Sequence, residues 1–256
     1  MSIKIENLSF KYKNSSHNVL DNINLVINDG ELVVLLGNNG CGKTTLIHNI
    51  EGFIYPSSGS VSYNDKDLFK ITTLEHSKLI AYVSQTVSKL EDILIKDYLS
   101  FGFTNNLKFY QKPSKRQMDL VELYANKLNI THLLDKKIDE ISGGERQIVS
   151  ICCALLQDTK VILLDEPTSA LDIKNQHMVL SVLKEIAKEQ NKTIILSSHN
   201  PNHALFLNSK VALMKYGKII NYGDAIDIIK PTILTEIYGE DVCYSDELKY
   251  REVSFK

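Results

Sequence analysis

The chain has 256 residues and a formal net charge of −2, with 29 basic and 31 acidic side chains. This near balance excludes a global positive field that would hold nucleic acid or an anionic membrane surface, though not a local basic patch. The apolar fraction of 43% and the charged fraction of 23% are ordinary for a packed globular protein and argue against disorder.

The predicted elements in the first third of the chain are mainly strands. Residues 3–10 and 19–27 alternate polar and apolar side chains, and residues 31–36 are predicted to form a continuous buried strand. A helix is expected at about 43–51, after a glycine-rich loop, and a further strand is expected at 60–63.

The middle and the end of the chain combine helices with strands. Residues 93–157 have a helical pattern, clearest at 119–128 and 146–156, and the basic stretch 112–116 is predicted to be a loop. Further strands are predicted at 80–84, 161–164, 193–196 and 211–214, a helix at 174–188, and a short hairpin followed by small helices at 217–256. Strands that alternate with helices predict a parallel sheet with right-handed crossovers.

Two compositional features bear on the compartment. The longest apolar runs, such as 32–36 and 161–164, are strand-sized, whereas a helix that spans a bilayer needs about 20 residues. The four cysteines, at positions 41, 152, 153 and 243, have neither disulfide nor zinc spacing. We therefore expect no membrane segment and a reduced cytosolic compartment, with Cys152 and Cys153 as small apolar core residues.

Residues 37–44 fit the phosphate-loop pattern G-x-x-x-x-G-K-[ST] between a buried strand and a helix. The glycines allow successive N–H groups to face an anion, and the following helix adds its positive end. Lys43 can reach the β- and γ-phosphates of a nucleotide, and the Thr44 hydroxyl suits Mg²⁺. The alternative is a glycine-rich turn that matches by chance, which the strand before and the helix after disfavour.

A second acidic motif follows the apolar run at 161–164, which ends in Asp165 and Glu166. Ligands bind at the carboxyl ends of parallel strands, so we expect both acids to emerge where the phosphate loop ends. Asp165 would hold the metal through water, and Glu166 would take the proton of an attacking water. Without the phosphate loop, a capped turn before a helix would explain these residues equally well.

A third loop is formed by Ser142, Gly143, Gly144 and Glu145 before the helix that ends near residue 156. It exposes hydrogen-bond donors at a helix N-terminus and so forms a second candidate anion site. One nucleotide does not obviously need two such loops. A second copy of the chain, packed head to tail, would place this loop over the γ-phosphate that its partner binds.

These motifs, in this order, resemble those of the ATP-binding cassette (ABC) family. The resemblance implies a P-loop NTPase core, with a mixed, largely parallel sheet and an antiparallel β subdomain, and an inserted α-helical subdomain. The expected division is a core of 1–92 and 158–225, a helical subdomain of 93–157 and a C-terminal extension of 226–256. The departures are small: Asn38 replaces a common Pro, Cys41 a common Ser and Ile141 a common Leu.

The same resemblance implies the roles of individual residues in a magnesium-dependent ATPase. Gln85 would contact Mg²⁺ and the water, Asp172 would meet the other subunit, and His199 would be the switch histidine near the γ-phosphate. Tyr12 would stack on adenine, although it could equally be a strand aromatic, and Val19 would touch the nucleoside. The remaining ATP-binding residues implied by the loop are Asn38, Asn39, Gly40, Cys41, Gly42, Lys43, Thr44 and Thr45.

The resemblance also implies partners. Two copies would close on two ATP, and integral membrane permease subunits at the cytoplasmic face would convert that motion into transport, indirectly serving a substrate-binding protein. The insertion at about 86–110 would receive the permease. Residues 198–205, 217–223 and 237–242 resemble importers of iron–siderophores, haem and vitamin B12. The alternatives are a non-transport ABC ATPase acting on DNA or the ribosome, and the cassette of an exporter; no nucleic acid partner is expected.

Three quieter features have competing interpretations. His199 and His203 have metal-ligand spacing, but Asn200 and Pro201 look like a helix N-cap and first position, which disfavours a metal pair. The basic stretch 112–116 could touch nucleic acid or lipid headgroups, although a solvated loop is favoured. We hypothesise that Cys41 is reactive, because a thiol in a positive nest should have a lowered pKa.

Overall fold

The computed structural model describes residues 2–13, 15–86, 91–107, 111–239, 242–245 and 252–255. Parts of the predicted permease-binding insertion and of the 237–242 motif lie outside the described residues, as does the side chain of Cys243. The strands are β1 (Ser2–Phe10), β2 (Leu20–Asn28), β3 (Leu32–Leu36), β4 (Ser58–Tyr63), β5 (Lys66–Asp67), β6 (Ile80–Val83), β7 (Val161–Leu164), β8 (Thr193–Ser198), β9 (Lys210–Lys215), β10 (Lys218–Asp224), β11 (Val242–Ser245) and β12 (Glu252–Phe255). The helices are α1 (Lys43–Ile50), α2 (Thr73–Leu79), α3 (Ile95–Ser100), α4 (Lys115–Lys127), α5 (Gly143–Leu156), α6 (Ile173–Gln190), α7 (Pro201–Leu207), α8 (Ala225–Ile228) and α9 (Pro231–Tyr238).

The predicted strands and helices are confirmed, with boundaries that move by a few residues. The loop predicted at 112–116 is wrong at its end, because α4 already begins at Lys115. Ser114 caps this helix: its hydroxyl accepts from the backbone N–H of Gln117, and the Gln117 side chain accepts from the N–H of Ser114. This reciprocal capping box satisfies donors at the helix start and so extends the helix into the basic stretch.

Further elements also differ from the prediction. Helix α2 begins at a second capping box, between Thr72 and Glu75, in a segment for which we predicted no helix. At the C-terminal end, the hairpin predicted within 217–256 begins earlier, because β9 (Lys210–Lys215) pairs antiparallel with β10, whereas the predicted small helices are confirmed as α8 and α9. An antiparallel pair, β11 with β12, then follows where only helices were expected.

The chain divides into two compact units. The first unit comprises Met1–Ile71 and Thr193–Lys256. It contains an antiparallel sheet in the order β2-β1-β4-β5, which matches the expected antiparallel subdomain. It also contains β3, which pairs in parallel with both β8 and β9, and β10, which is antiparallel to β9. Because β3 is buried almost throughout and β8 throughout, these strands form the core on which the phosphate loop rests.

The second unit comprises Thr72–Lys192 and is mostly helical. Strands β6 and β7 of this unit pair in parallel, with Val83 opposite Leu164. Helix α5 packs against α3 and α4, and nine of its residues are buried. None of the helices in the described part of the chain combines the length and the apolar composition that a bilayer crossing requires. The predicted α/β class with an inserted helical part is confirmed.

Candidate functional site

The phosphate loop joins the end of β3 to the start of α1, in the first unit. Lys43 is only 5% exposed, and its Nζ donates hydrogen bonds to the backbone oxygens of Gly37, at 2.8 Å, and Asn38, at 3.2 Å. The backbone of the phosphate loop therefore surrounds the ammonium group of Lys43. A cation held inside a loop that opens a helix is suited to binding the phosphate chain of a nucleotide.

The loop closes on the carbonyl of Val19 through a glycine. Gly42 has a φ of +109°, a conformation that L side chains rarely adopt. A Cβ added there would lie 3.0 Å from the Val19 carbonyl oxygen and 2.9 Å from the Leu20 side chain. The structure thus places Val19 against the phosphate loop, and only glycine permits this approach.

Tyr12 lies beside the first turn of α1. Its hydroxyl is 3.3 Å from the Thr45 hydroxyl, and its ring meets Phe10 edge-on, with centroids 4.8 Å apart. The side chain is 46% exposed, so Tyr12 is not a core aromatic. A partly exposed aromatic ring next to a phosphate loop is suited to stacking on a base.

Cys41 is 7% exposed and lies within the turn of the loop, where its N–H donates to Asn38 and its carbonyl accepts from the N–H of Gly217. Because the thiol is buried, modifying reagents have restricted access to it, and this limits the predicted reactivity of Cys41. The neighbouring loop positions Asn39 and Gly40 are exposed, as is Thr44 at the second position of α1. Their polar groups are therefore available to a bound nucleotide.

Gln85, Asp165 and Glu166 come together in the second unit, after β6 and β7. The Gln85 amide nitrogen is 3.3 Å from a carboxylate oxygen of Glu166. Asp165 is 1% exposed, and its N–H donates to the carbonyl of Val83 at 2.9 Å. Glu166 has a φ of 44°, which is uncommon for a side chain of this size. The parallel pairing of the two strands thus delivers an amide and two carboxylates to one place.

The loop that opens α5 has an internal hydrogen-bond network. The Ser142 hydroxyl accepts from the N–H of Glu145 at 3.2 Å, and the Glu145 carboxylate accepts from the hydroxyl and the N–H of Ser142 at 2.6 and 2.8 Å. These bonds lower the pKa of Glu145 below its ordinary value, the bond from the Ser142 side chain most. The two residues therefore hold each other as a capping box.

This loop also packs closely on the segment before α6. A Cβ added to Gly144 would lie 2.9 Å from the carbonyl oxygen of Ala170, so glycine is required for the approach. Two residues later, Asp172 caps α6 by accepting from the N–H of Asn175 at 2.8 Å. The position of Gly143 at the first turn of α5 leaves its N–H at the positive end of the helix.

His199 and His203 have different surroundings in the first unit. The ring of His203 is buried, with Nδ1 2.9 Å from the Ser198 hydroxyl and Nε2 3.4 Å from the Asn200 side chain. Burial, and next the nearby charge of His199, lower the pKa of His203 to about 4. Both ring nitrogens of His203 have partners within the protein, which supports the N-cap interpretation over a metal pair. His199 itself directly precedes the capping residue of α7.

The predicted site residues thus fall into two sets, one in each unit. The described residues contain no group of three or more His, Cys, Asp or Glu side chains that could hold a metal. The sequence reasoning missed two contacts: the Asn38 side chain donates to the carbonyl of Ile237 at 2.7 Å, and the Tyr238 hydroxyl donates to the carbonyl of His199 at 3.1 Å. No local pattern indicates such contacts, because the partners are 199 and 39 residues apart.

Comparisons with known proteins agree on one family. The family model described as ABC transporter matches residues 20–169. The molybdate import ATP-binding protein of Haemophilus influenzae is 30% identical over 254 residues, which cover 99% of this chain and 94% of the relative. The iron(3+)-hydroxamate import ATP-binding protein of Bacillus subtilis is 28% identical over 240 residues, with coverage of 94% and 88%. A metal-chelate type ABC transporter solved in an inward-facing conformation superposes with a TM-score of 0.81 at 28% identity, covering 100% of this chain and 96% of that one.

Proposed function

The chain belongs to the ABC transporter family as its ATP-binding, ATP-hydrolysing subunit, and from this premise we propose that it energises an importer of iron–siderophore, haem or a related metal chelate. The observation that carries the ATPase is the phosphate loop, with the Lys43 cation held inside it. That arrangement neutralises the phosphate charge that builds up during phosphoryl transfer.

In the proposed mechanism, ATP binds along the loop residues 38–45, with Tyr12 on adenine and Val19 at the nucleoside. Thr44 is an exposed residue whose hydroxyl suits Mg²⁺, and Gln85 and Asp165 are the further oxygen ligands that we propose. When bound, Mg²⁺ would neutralise the charge of the β- and γ-phosphates.

Glu166 is the proposed general base. Its carboxylate accepts a proton from the attacking water, the water oxygen bonds to the γ-phosphorus, and the bond to the bridging oxygen of ADP breaks. The Gln85 amide, within hydrogen-bond distance of Glu166, orients the carboxylate and the water. His199 is proposed to donate a hydrogen bond to the γ-phosphate.

A second copy of the chain is the proposed partner in catalysis. The N-terminus of α5, with Ser142, Gly143, Gly144 and Glu145, would bind the γ-phosphate held by the other copy, since helix N-termini bind anions. Asp172 would contact that copy. The close packing of Gly144 on Ala170 supports this role. It places the anion-binding loop next to the segment that contains Asp172, the predicted dimer contact.

Import of a metal chelate is supported by two similarities. One relative is an iron(3+)-hydroxamate import protein, and one similar solved structure is of metal-chelate type. A further relative serves molybdate import, so the cassette alone does not fix the cargo. We place the chain at the cytoplasmic face of the membrane, bound to permease subunits that work with a substrate-binding protein.

Phosphate release by the purified chain with ATP and Mg²⁺ tests the ATPase. Lys43→Ala should reduce the rate to near background, whereas Lys70→Ala, which removes a side chain that is 82% exposed, should not change it. Uptake by cells that lack the chain tests the cargo: ferric hydroxamate or haem uptake should fall while molybdate uptake persists. Unchanged chelate uptake would refute the import proposal and leave the ATPase intact.

A further inference from the structure

Helix α9 ends against the phosphate loop. Its last carbonyls have no partners within the helix and form the negative end of the helix dipole. The Asn38 side chain donates to the carbonyl of Ile237 at 2.7 Å, and Lys215 Nζ donates to the carbonyl of Glu236 at 3.0 Å. Lys215 and the Glu236 carboxylate are also 3.6 Å apart. A residue of the phosphate loop thus anchors the C-terminal end of this helix.

The final residue of α9 reaches from this anchor to His199. The Tyr238 hydroxyl donates to the carbonyl oxygen of His199 at 3.1 Å. Burial raises the pKa of Tyr238, and the nearby Cys41 thiol raises it further, so the phenol keeps its proton at neutral pH. Tyr238 therefore stays a donor while it lies close to both a loop residue and the His199 backbone.

The backbone on either side of His199 is fixed by local hydrogen bonds. The N–H of Asn200 donates to the Ser198 hydroxyl at 3.0 Å, which also lies 2.9 Å from the His203 ring. The Asn200 side chain accepts from the N–H of Asn202 at 3.0 Å. Tyr238, from a distant part of the chain, adds a hydrogen bond to the carbonyl oxygen of His199 itself. Because this oxygen belongs to the peptide unit between His199 and Asn200, the contact helps to fix the orientation of that unit.

We propose that Tyr238 is a positioning residue, which couples the phosphate loop to His199 through the end of α9. Asn38 fixes the helix end relative to the loop, and the Tyr238 hydroxyl fixes His199 relative to the helix end. The inference rests on the proposed role of His199 in ATP hydrolysis. It gives a positioning role in ATP hydrolysis to helix α9, which lies in the C-terminal extension.

The test compares Tyr238→Phe with Tyr63→Phe. Both changes remove one phenolic hydroxyl and keep the ring; the Tyr63 hydroxyl donates to Asp29 at 3.2 Å in the antiparallel sheet. Because one hydrogen bond contributes about 1 kcal/mol, kcat for ATP should fall about fivefold in Tyr238→Phe, with the KM for ATP within about twofold of wild type. Tyr63→Phe should retain both constants.

Hydrogen exchange on the nucleotide-free chain gives a readout that does not depend on hydrolysis. Exchange in the segment 197–203 should accelerate in Tyr238→Phe and also in Asn38→Asp, where a carboxylate would face the Ile237 carbonyl. Unchanged exchange and kcat in Tyr238→Phe, or equal losses in Tyr63→Phe, would overturn the inference while wild-type hydrolysis still supports the proposed function. A wild-type chain without ATPase activity would instead refute the proposed function. In that case, the exchange rates in segment 197–203 alone would show whether Tyr238 holds the backbone around His199.

Discussion

The side-chain amide of Gln85 and a carboxylate oxygen of Glu166 lie 3.3 Å apart, although 81 residues separate them in the chain. Glu166 also has a positive φ, of 44°, two residues after the end of a buried strand. Residues held in sparsely populated backbone conformations concentrate at functional sites, since the surrounding structure must impose the strain. Here the strained backbone and the contact with the Gln85 amide both belong to Glu166, whose carboxylate we propose as the base that accepts a proton from the attacking water.

Glu166→Gln should lower kcat for ATP roughly 100-fold or more, because an amide cannot accept the proton and general-base catalysis contributes about that factor. ATP binding should stay within a few-fold of wild type. Phosphate release and calorimetric titration measure the two quantities, and Glu189→Gln, at an exposed position of α6, serves as the matched control. A Glu166→Gln variant with undiminished turnover would remove Glu166 as the base.

Tyr12→Ala should weaken ATP binding about tenfold, since stacking of a base on an aromatic ring contributes about 1–3 kcal/mol. Tyr12→Phe keeps the ring and loses only the contact with Thr45, so it should bind ATP nearly as well as wild type. Inorganic triphosphate, which has no base, should bind all three proteins equally. Equal weakening of ATP and triphosphate binding by Tyr12→Ala would contradict the stacking role.

Alkylation of Cys41 by N-ethylmaleimide should inhibit the ATPase, and bound ATP should protect. The reaction should be slow, because the thiol is 7% exposed and becomes accessible only when the loop opens. Burial raises the pKa of Cys152 and brings that of Cys153 to about 11, which should keep both unreactive at neutral pH. Cys41→Ser should be active and resistant, and full activity after modification mapped to Cys41 by mass spectrometry would contradict this prediction.

The buried ring of His203 should make the folded state sensitive to acid. Its pKa is lowered to about 4 from an ordinary value of 6.5, so between these values the unfolded chain binds the additional proton. The free energy of unfolding should therefore decrease as the pH falls from about 6.5 towards 4, by up to about 3 kcal/mol from this group. Urea titrations at pH 7 and pH 4.5 measure the change.

Two variants test whether His203 causes this pH dependence of the free energy of unfolding: one replaces the buried His203 and the other replaces an exposed histidine. His203→Gln should flatten the dependence of unfolding on pH, because the titrating group is gone. His17→Gln, at an exposed position, should leave the dependence unchanged. An identical pH dependence in wild type and His203→Gln would show that the ring is not held neutral in the folded chain.

The sequence was most informative where the chemistry is local. The glycine–lysine pattern around Lys43 predicts a loop between a strand and a helix, and the apolar run at 161–164 predicts β7 with its observed bounds. A local signal also exists for the start of α4. Ser114, followed three residues later by Gln117, fits the capping-box pattern, which predicts that Lys115 lies in a helix.

Contacts between distant segments could not be predicted in the same way. Neither the Asn38 contact with Ile237 nor the Tyr238 contact with His199 follows from periodicity, because each depends on how α9 packs within the first unit. The positive φ of Glu166 is likewise imposed by tertiary structure, since glutamate has no intrinsic preference for it. The sequence predicts which groups could react, and packing determines how they are held.

The central claim is that ATP is bound between the Lys43 loop of one copy and the Ser142 loop of another. Analytical ultracentrifugation of Glu166→Gln with ATP and Mg²⁺ tests it most directly. The account predicts a dimer that forms with ATP and dissociates when ADP replaces it. A protein that stays monomeric with ATP and Mg²⁺, even when its permease is supplied, would contradict the account.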